Sequence, residues 1–418
     1  MTPLQFSILE RDTSSRARRG VVHTLHGSFD TPAFMPVGTR ASVKGLLPQL
    51  VKQTGAQIVL NNTYHLLLRP GPALIERMGG VHKFMNWPGP ILTDSGGYQA
   101  YSLSAINTVD DDGVTFKSTI DGSMVRMSPE IATHVQNQLG PDIMMAFDDC
   151  PPSIAATSEE RDESQTRRLA SAARGMDPRE RVRVANERTV RWLERCKAAH
   201  ARPSEQSLFG IVQGGADLEQ RSWSAERICN IELPGYAIGG VAVGESFADI
   251  ARVVNHTAPL LPENKPRYLM GVGYERDILA AVRAGVDMFD CVLPTRNGRN
   301  ANAFTPTGQV RLRNAKYSED KSPIELGCDC VACNPSANGM QTPDGLPFSR
   351  GYLRHLFMAQ EMLGPILVSL HNLRYFQRFM QEVRQAITLH NWSGLLQRYP
   401  IAAEGVTPLT ASKDSHAS

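Results

Sequence analysis

Eight short apolar runs, each closing on glycine or a polar residue, constrain this chain more than any other feature of its sequence. They are TPAFMPVGT from Thr31, QIVLNN from Gln57, PILTDSGG from Pro90, IMMAFDDC from Ile143, LFGIVQGG from Leu208, YAIGGVAVGE from Tyr236, RYLMGVG from Arg267 and DMFDCVLPT from Asp287. Short apolar runs bounded by Gly, Pro, Asn or Asp read as strands buried on both faces of a parallel sheet. Stretches of helical periodicity such as PEIATHVQNQLG from Pro129 and DILAAVRAG from Asp277 fall between them. That alternation is the βαβα order of an α/β fold. Eight such units predict a (β/α)₈ TIM barrel rather than an open sheet.

In a barrel the C-terminal ends of the strands converge on one mouth, where active sites lie. Asp94, Asp148, Gln213, Gly240 and Asp290 all fall at the ends of these runs. A single aspartate after a strand is as often a helix cap or a turn residue. Five polar or glycine positions at one mouth favour a site.

Three stretches break the alternation. VDDDGVTFKSTIDGSMVRMS, between the third and fourth runs, has period-two patterning and two Asp-Gly pairs, and predicts a hairpin inserted in the barrel wall. The charged segment from Glu159 to Lys197 reads first as a solvated helical excursion, with RNA contact as the less favoured reading, and EGVTPLTASKDSHAS has the composition of a frayed tail. The expected organisation is a catalytic barrel over 1–315 with insertions near 105–127 and 155–205, a zinc-binding and helical region over 316–400, and a tail over 401–418.

The net charge of +2, from 44 basic and 42 acidic residues, supplies no global field for nucleic acid, so RNA contact must rest on a local patch. The start MTPLQFSILERD lacks a signal-peptide pattern, and no stretch approaches the roughly 18 apolar residues of a membrane span. A soluble cytoplasmic protein is expected.

Of the seven cysteines, Cys150, Cys196, Cys229 and Cys291 are scattered, whereas Cys328, Cys330 and Cys333 form C-x-C-x₂-C. Three thiolates so close in sequence suit a tetrahedral zinc ion rather than a disulfide framework, and need a histidine to complete the set. His355 and His371 both lie downstream. With all four positions filled by protein, such a site holds structure and performs no catalysis.

Asp94 in TDSGGYQ and Asp290 in MFDCVLPTRNGRN are a natural pair for chemistry at a glycosidic carbon, one attacking the anomeric carbon while the other protonates the leaving group. Gly96 and Gly97 let backbone approach a flat ligand on which Tyr98 could stack. Asp148, Gln213 and the Gly240 backbone offer an acceptor and two donors, matching the hydrogen-bonding edge of guanine. Arg296, Arg299, Arg311, Arg313, Lys316 and Lys321 lead from the eighth run to the cysteines, and suit phosphate better than a merely solvated face does.

These runs, with PVGTRASVKGL, NNTYHLLLRPG, FDCVLPTRNGRNANAFT and CDCVAC followed by HNL, resemble the bacterial-type tRNA-guanine transglycosylases from about Phe6 to Pro400. The resemblance implies Asp290 as the nucleophile that links covalently to ribose and Asp94 as the general acid and base. It implies a base pocket of Tyr98, Asp148, Gln213, Gly240, Val241 and Met270, with Tyr98 and Met270 sandwiching the ring, and tRNA contacts from Arg296 and Arg299. It makes Cys328, Cys330, Cys333 and His371 ligands of one structural Zn2+, and Phe348, Tyr352, His355 and Leu356 a contact patch of a homodimer. The implied substrates are tRNAs for Asp, Asn, His and Tyr, whose anticodons begin with guanine, and a 7-deazaguanine base on the way to queuosine.

The chain departs from the family pattern in a longer loop between Cys333 and Ser349, a longer excursion after Asp148, and Val241 and Asp149 where relatives more often carry Leu and Glu. Val243 fills the space into which the cyclopentenediol of queuine would project, so the expected base is 7-aminomethyl-7-deazaguanine. A non-catalytic tRNA-binding partner of the same fold is the alternative, disfavoured because both aspartates are present. A metal-dependent barrel hydrolase would need strand-end His-x-His ligands that the runs do not contain.

Overall fold

The computed structural model describes residues 3–102, 107–151, 176–242 and 244–405. Its strands are β1 (Gln5–Arg11), β2 (Arg18–Thr24), β3 (Gly27–Thr31), β4 (Ala33–Met35), β5 (Val37–Gly38), β6 (Val59–Asn62), β7 (Ile91–Asp94), β8 (Asn107–Asp110), β9 (Gly113–Lys117), β10 (Met124–Met127), β11 (Ile143–Met145), β12 (Ser207–Val212), β13 (Gly235–Ile238), β14 (Arg267–Leu269), β15 (Met288–Asp290), β16 (Asn302–Thr305) and β17 (Gly308–Arg311). Nine of them form one sheet in the order β4-β15-β14-β13-β12-β11-β7-β6-β5. All eight apolar runs supply strands of it.

The ends of that order are two halves of the first run, parted at Pro36, which has no N–H to give to a ladder. β4 pairs with β15, Asp290 opposite Met35, and β5 pairs with β6, Val37 opposite Leu60. The first run thus bridges the last strand and the second, and the parallel sheet closes into a TIM barrel. Alternate inward side chains, among them Met35, Leu60, Leu92, Met145, Phe209, Ile211, Tyr268 and Met288, fill the interior.

The antiparallel sheet β1-β2-β3 lies outside the eight-run pattern, and its Val22 and Phe29 join Leu4 against that interior cluster. Arg18 of β2 makes a buried 2.6 Å ion pair with Asp287, whose carboxylate also accepts the Arg267 N–H at 2.7 Å. The sheet therefore closes the barrel floor.

The insertion after β7 is a three-stranded meander, β10-β9-β8, rather than a single hairpin. Both Asp-Gly sites make turns: Asp110 accepts from the N–H groups of Asp112 and Gly113, and Ser118 and Asp121 cap the second.

The charged stretch after the fourth run contains the helix Pro178–Ala199, begun by an Asp177 cap and Pro178 at its first position. It is a barrel helix, not a solvated excursion. It buries Val182, Trp192, Leu193 and Cys196, while Arg181 and Arg188 pair with buried Asp149. Residues 152–175 of that segment lie outside the described residues, as do 406–418 of the expected tail.

The longest helix among the described residues, Leu363–Leu389, packs along the barrel and against the helix Leu293–Arg299 that follows the eighth strand. A Cβ on Gly298 would stand 2.7 Å from the backbone of Ser369, so only glycine permits that approach. No described helix is long and apolar enough to cross a membrane.

Candidate active site

The mouth of the barrel is built on strand ends. β7 finishes on Asp94 and β15 on Asp290, while Asp148, Gln213, Gly240 and Met270 follow the last residues of β11, β12, β13 and β14.

Asp94 is buried, and its carboxylate accepts from the Thr63 N–H at 3.0 Å and from the Asn62 amide. Burial pushes its pKa up to about 7; the Thr63 bond opposes this and the nearby Asp290 carboxylate adds to it. Asp290 places one oxygen, Oδ1, between two donors, the Tyr268 hydroxyl at 2.6 Å and the Gly271 N–H at 2.8 Å. Its pKa is also raised by burial, against those two hydrogen bonds. Two carboxylates at one mouth, each with a raised pKa, are equipped for nucleophilic and proton-transfer roles.

Beside them, Asp148 accepts the Gln213 Nε2–H at 2.6 Å and the Ser95 hydroxyl at 3.3 Å, and burial raises its pKa to about 6. Gly97 lies against it, where a Cβ would meet the Asp148 carbonyl oxygen at 2.9 Å. Gly240 has φ +62°, and a Cβ there would stand 2.2 Å from Gln213 Oε1. Val241 is buried, and Tyr98 is 42% exposed on the helix Gly97–Ser102. The expected pocket residues thus gather round one mouth. Val243 lies outside the described residues.

Sequence reasoning missed the supports. Arg221 is fully buried and donates to the carbonyl oxygens of Val212, Gly215, Gly239 and Gly240, bracing the backbone behind the pocket. Nothing in QRSWS marks that arginine as internal. Asn62 carried a signal, since it ends the second run as the other site residues end theirs, and Thr63 follows it directly. Tyr268 sits inside an apolar run, where its sequence reads as core.

Beyond the mouth, Arg296 is exposed on the helix Leu293–Arg299, with Arg299 half-buried beside it. Burial and the Arg296 charge lower the Arg299 pKa, a pairing of like charges that suits an anion. Arg311, Arg313, Lys316 and Lys321 are all exposed along the continuing arm.

At the foot of that arm the Sγ atoms of Cys328, Cys330 and Cys333 lie 3.6, 3.4 and 3.5 Å from Nδ1 of His371, all four residues being buried. Ligands at ordinary zinc–sulfur and zinc–nitrogen lengths, about 2.3 and 2.0 Å, stand about 3.5 Å apart across a tetrahedral angle. The donor set therefore fits one such ion. The His371 Nε2–H donates to the Phe304 carbonyl at 2.8 Å, which leaves Nδ1 as the ligand atom. His355 is exposed on the helix Arg350–Met358 and takes no part. Next to His371, Asn372 bonds Pro294, Asn302 and Phe304, tying the cluster to the segment that carries Arg296 and Arg299.

Phe348, Tyr352 and His355 form a ladder of stacked rings with centroids 6.1 and 6.4 Å apart. Leu356, expected in the same patch, is buried in the core beneath.

A family model described as queuine tRNA-ribosyltransferase matches residues 12–177 and 169–400. A protein named queuine tRNA-ribosyltransferase from Macrococcus caseolyticus is 46% identical over 387 residues, 93% of each chain. Proteins of the same name from Synechococcus elongatus and Symbiobacterium thermophilum are 46% and 48% identical, covering 93% and 92% of this chain and 92% and 88% of their own.

Proposed function

The chain belongs to the queuine tRNA-ribosyltransferase family, the tRNA-guanine transglycosylases, and we propose that it replaces the wobble guanine of tRNAs for Asp, Asn, His and Tyr with 7-aminomethyl-7-deazaguanine. It is a pentosyltransferase by that membership, acting on tRNA. The observation that carries the proposed chemistry is the carboxylate pair: the Asp94 pKa is pushed up to about 7, by burial first and then by Asp290 at the same mouth.

In the proposed reaction, Asp290 attacks C1′ of the ribose, the bond from C1′ to guanine breaks, and Asp94 gives its proton to the departing base. The Tyr268 and Gly271 donors both hold Oδ1, which leaves Oδ2 as the attacking oxygen. The ionised Asp94 then takes a proton from N9 of the incoming base, the new C1′–N9 bond forms and the ribosyl ester to Asp290 breaks. Atoms and charge balance without any redox partner.

Asp148 would accept from N1–H and N2–H of the base while Gln213 and the Gly240 backbone meet its oxygen, with Tyr98 and Met270 on its faces. Val241 would offer backbone acceptors to the aminomethyl group. Preference for that small group over queuine rests on the volume of Val243. Arg296 and Arg299 would hold phosphates beside the exchanged nucleotide. Zinc is the metal we assign to the Cys328, Cys330, Cys333 and His371 set; with four protein ligands it supplies rigidity and no reactive position. The Phe348, Tyr352 and His355 ladder would pair two copies in a homodimer, and cytoplasmic tRNA would be the substrate pool.

Incorporation of radiolabelled guanine into unmodified tRNA tests the reading. Turnover by the wild-type chain and loss in Asp94→Asn support it, whereas binding of tRNA without any exchange would indicate the non-catalytic alternative. Competition between 7-aminomethyl-7-deazaguanine and queuine tests the base choice, and equal use of both would remove the volume argument.

A further inference from the structure

The helix Leu218–Cys229 turns Arg221, Ser224, Ala225 and Ile228 inward, the i, i+3, i+4 and i+7 stripe that ordinarily carries apolar side chains. An arginine there is costly to bury unless its donors are met. Four bonds meet them: Nε–H donates to the Gly215 carbonyl at 2.8 Å, Nη1 to those of Val212 and Gly239 at 3.0 and 2.7 Å, and Nη2 to that of Gly240 at 3.0 Å. Burial pushes the Arg221 pKa down to about 10, with the Glu245 charge opposing, so the guanidinium stays cationic at neutral pH. We propose that Arg221 is a positioning residue for guanine departure: through the Gly239–Gly240 peptide it strengthens the N–H that meets the oxygen of the base. This role rests on the reading of the Gly240 backbone as a donor to guanine.

The path from the cation to the base is one peptide long. The Gly239 carbonyl and the Gly240 N–H belong to a single planar, conjugated unit, in which a cation on the oxygen draws electron density from the nitrogen and makes its N–H the better donor. In a trans peptide the two groups point to opposite sides, so a guanidinium behind the loop leaves the N–H aimed away from it. Among the described residues no acceptor takes the Gly240 N–H, whereas the Gly239 N–H is engaged by the Val212 carbonyl at 3.0 Å. The polarised donor is therefore the one left over for a ligand. Ser224, one turn beyond Arg221, accepts the Gln213 N–H at 3.1 Å, so one helix fixes the ends of both β12 and β13.

The chemistry needs such a donor when the C1′–N9 bond breaks. The bonding pair leaves with the base, negative charge spreads from N9 over the ring to its oxygen, and Asp94 supplies the proton. A donor that gains strength as that oxygen becomes negative lowers the barrier more than it tightens binding of the neutral base. Arg221 also costs no reorganisation at that moment, because four carbonyls already hold it in place.

The test follows single-turnover release of guanine, and of 6-thioguanine, from tRNAs carrying each at the exchanged position. The sulfur base keeps the same N1–H and N2–H edge and offers a weaker acceptor where guanine has oxygen. Arg221→Met, which fills the volume without the charge, should slow guanine release about 10-fold, less than the ~10²-fold of removing an oxyanion donor outright. Release of 6-thioguanine should slow less than about 3-fold, and Arg221→Lys, which restores a cation, should recover part of the guanine rate. Thermal unfolding shows whether each variant is folded. A check free of any variant is the affinity of the wild-type chain, which should favour guanine over 6-thioguanine by about 2- to 10-fold. Equal affinity there, or equal slowing of both bases in a folded Arg221→Met protein, would overturn the proposal and leave Arg221 as a structural brace. A wild-type chain that releases no guanine at all would overturn the exchange reaction itself, and this role with it.

Discussion

Tyr268 and Asp290 are joined by a 2.6 Å hydrogen bond to Oδ1, and the Gly271 N–H meets the same oxygen at 2.8 Å. Tyr268 lies opposite Met288 on the neighbouring strand, and its side chain reaches along the barrel interior to the carboxylate two residues further on, at the mouth end of β15. One oxygen of the carboxylate is anchored and the other is presented. Tyr268→Phe removes a neutral donor to a charged acceptor, worth roughly 1.5–3 kcal/mol. The expected result is a fall in kcat of about 10- to 100-fold with KM for guanine nearly unchanged; a change confined to KM would place Tyr268 in base binding instead.

Gly240→Ala should damage the base pocket from two directions. Its φ of +62° costs an L-residue roughly 1–2 kcal/mol, and the new Cβ would stand 2.2 Å from Gln213 Oε1. Guanine binding should weaken more than tRNA binding. Calorimetry with each ligand separates them, and equal losses for both would point to general unfolding.

Activity should be bell-shaped in pH. Asp148 must be ionised to accept from the base, and with a pKa of about 6 it loses that form as pH falls. Asp94 must carry a proton to release guanine, and with a pKa of about 7 it loses that form as pH rises. The dependence of kcat/KM on pH should therefore peak between these values, since that ratio reports the free enzyme. A profile that is flat across them would detach both residues from the chemistry.

Metal removal should act on stability and on RNA binding. Cys330→Ala or His371→Ala should lower the metal content toward zero and reduce Tm, because a structural ion is held only by the folded site. Asn372 links the cluster to the segment bearing Arg296 and Arg299, so tRNA affinity should fall with it. Mass-spectrometric metal analysis checks the first effect; a full complement in His371→Ala would move the fourth ligand elsewhere.

The barrel was legible because parallel strands buried on both faces leave unbroken apolar runs, as SLFGIV in β12 does. Asp94 and Asp290 were legible for the complementary reason, being charged residues at the ends of such runs. The floor sheet was not, because QFSILER and RRGVVHT mix polar and charged residues among the apolar ones and hold no unbroken apolar run. Helix Pro178–Ala199 read as solvated because burial of its Arg181 depends on a partner, Asp149, that is distant in sequence. Arg221 was hidden for a related reason: four backbone carbonyls, on the loops after β12 and β13 and at the end of β12, satisfy it, and no side-chain pattern in the sequence announces them.

The covalent role of Asp290 is tested most directly by trapping. Wild-type protein is incubated with unmodified tRNA and a slow base, quenched in denaturant, and separated by size. A ribosyl ester predicts an RNA–protein adduct that survives denaturation and whose mass maps to the peptide containing Asp290, with neither adduct nor exchange in Asp290→Asn. An equally abundant adduct and undiminished exchange in Asp290→Asn would contradict it.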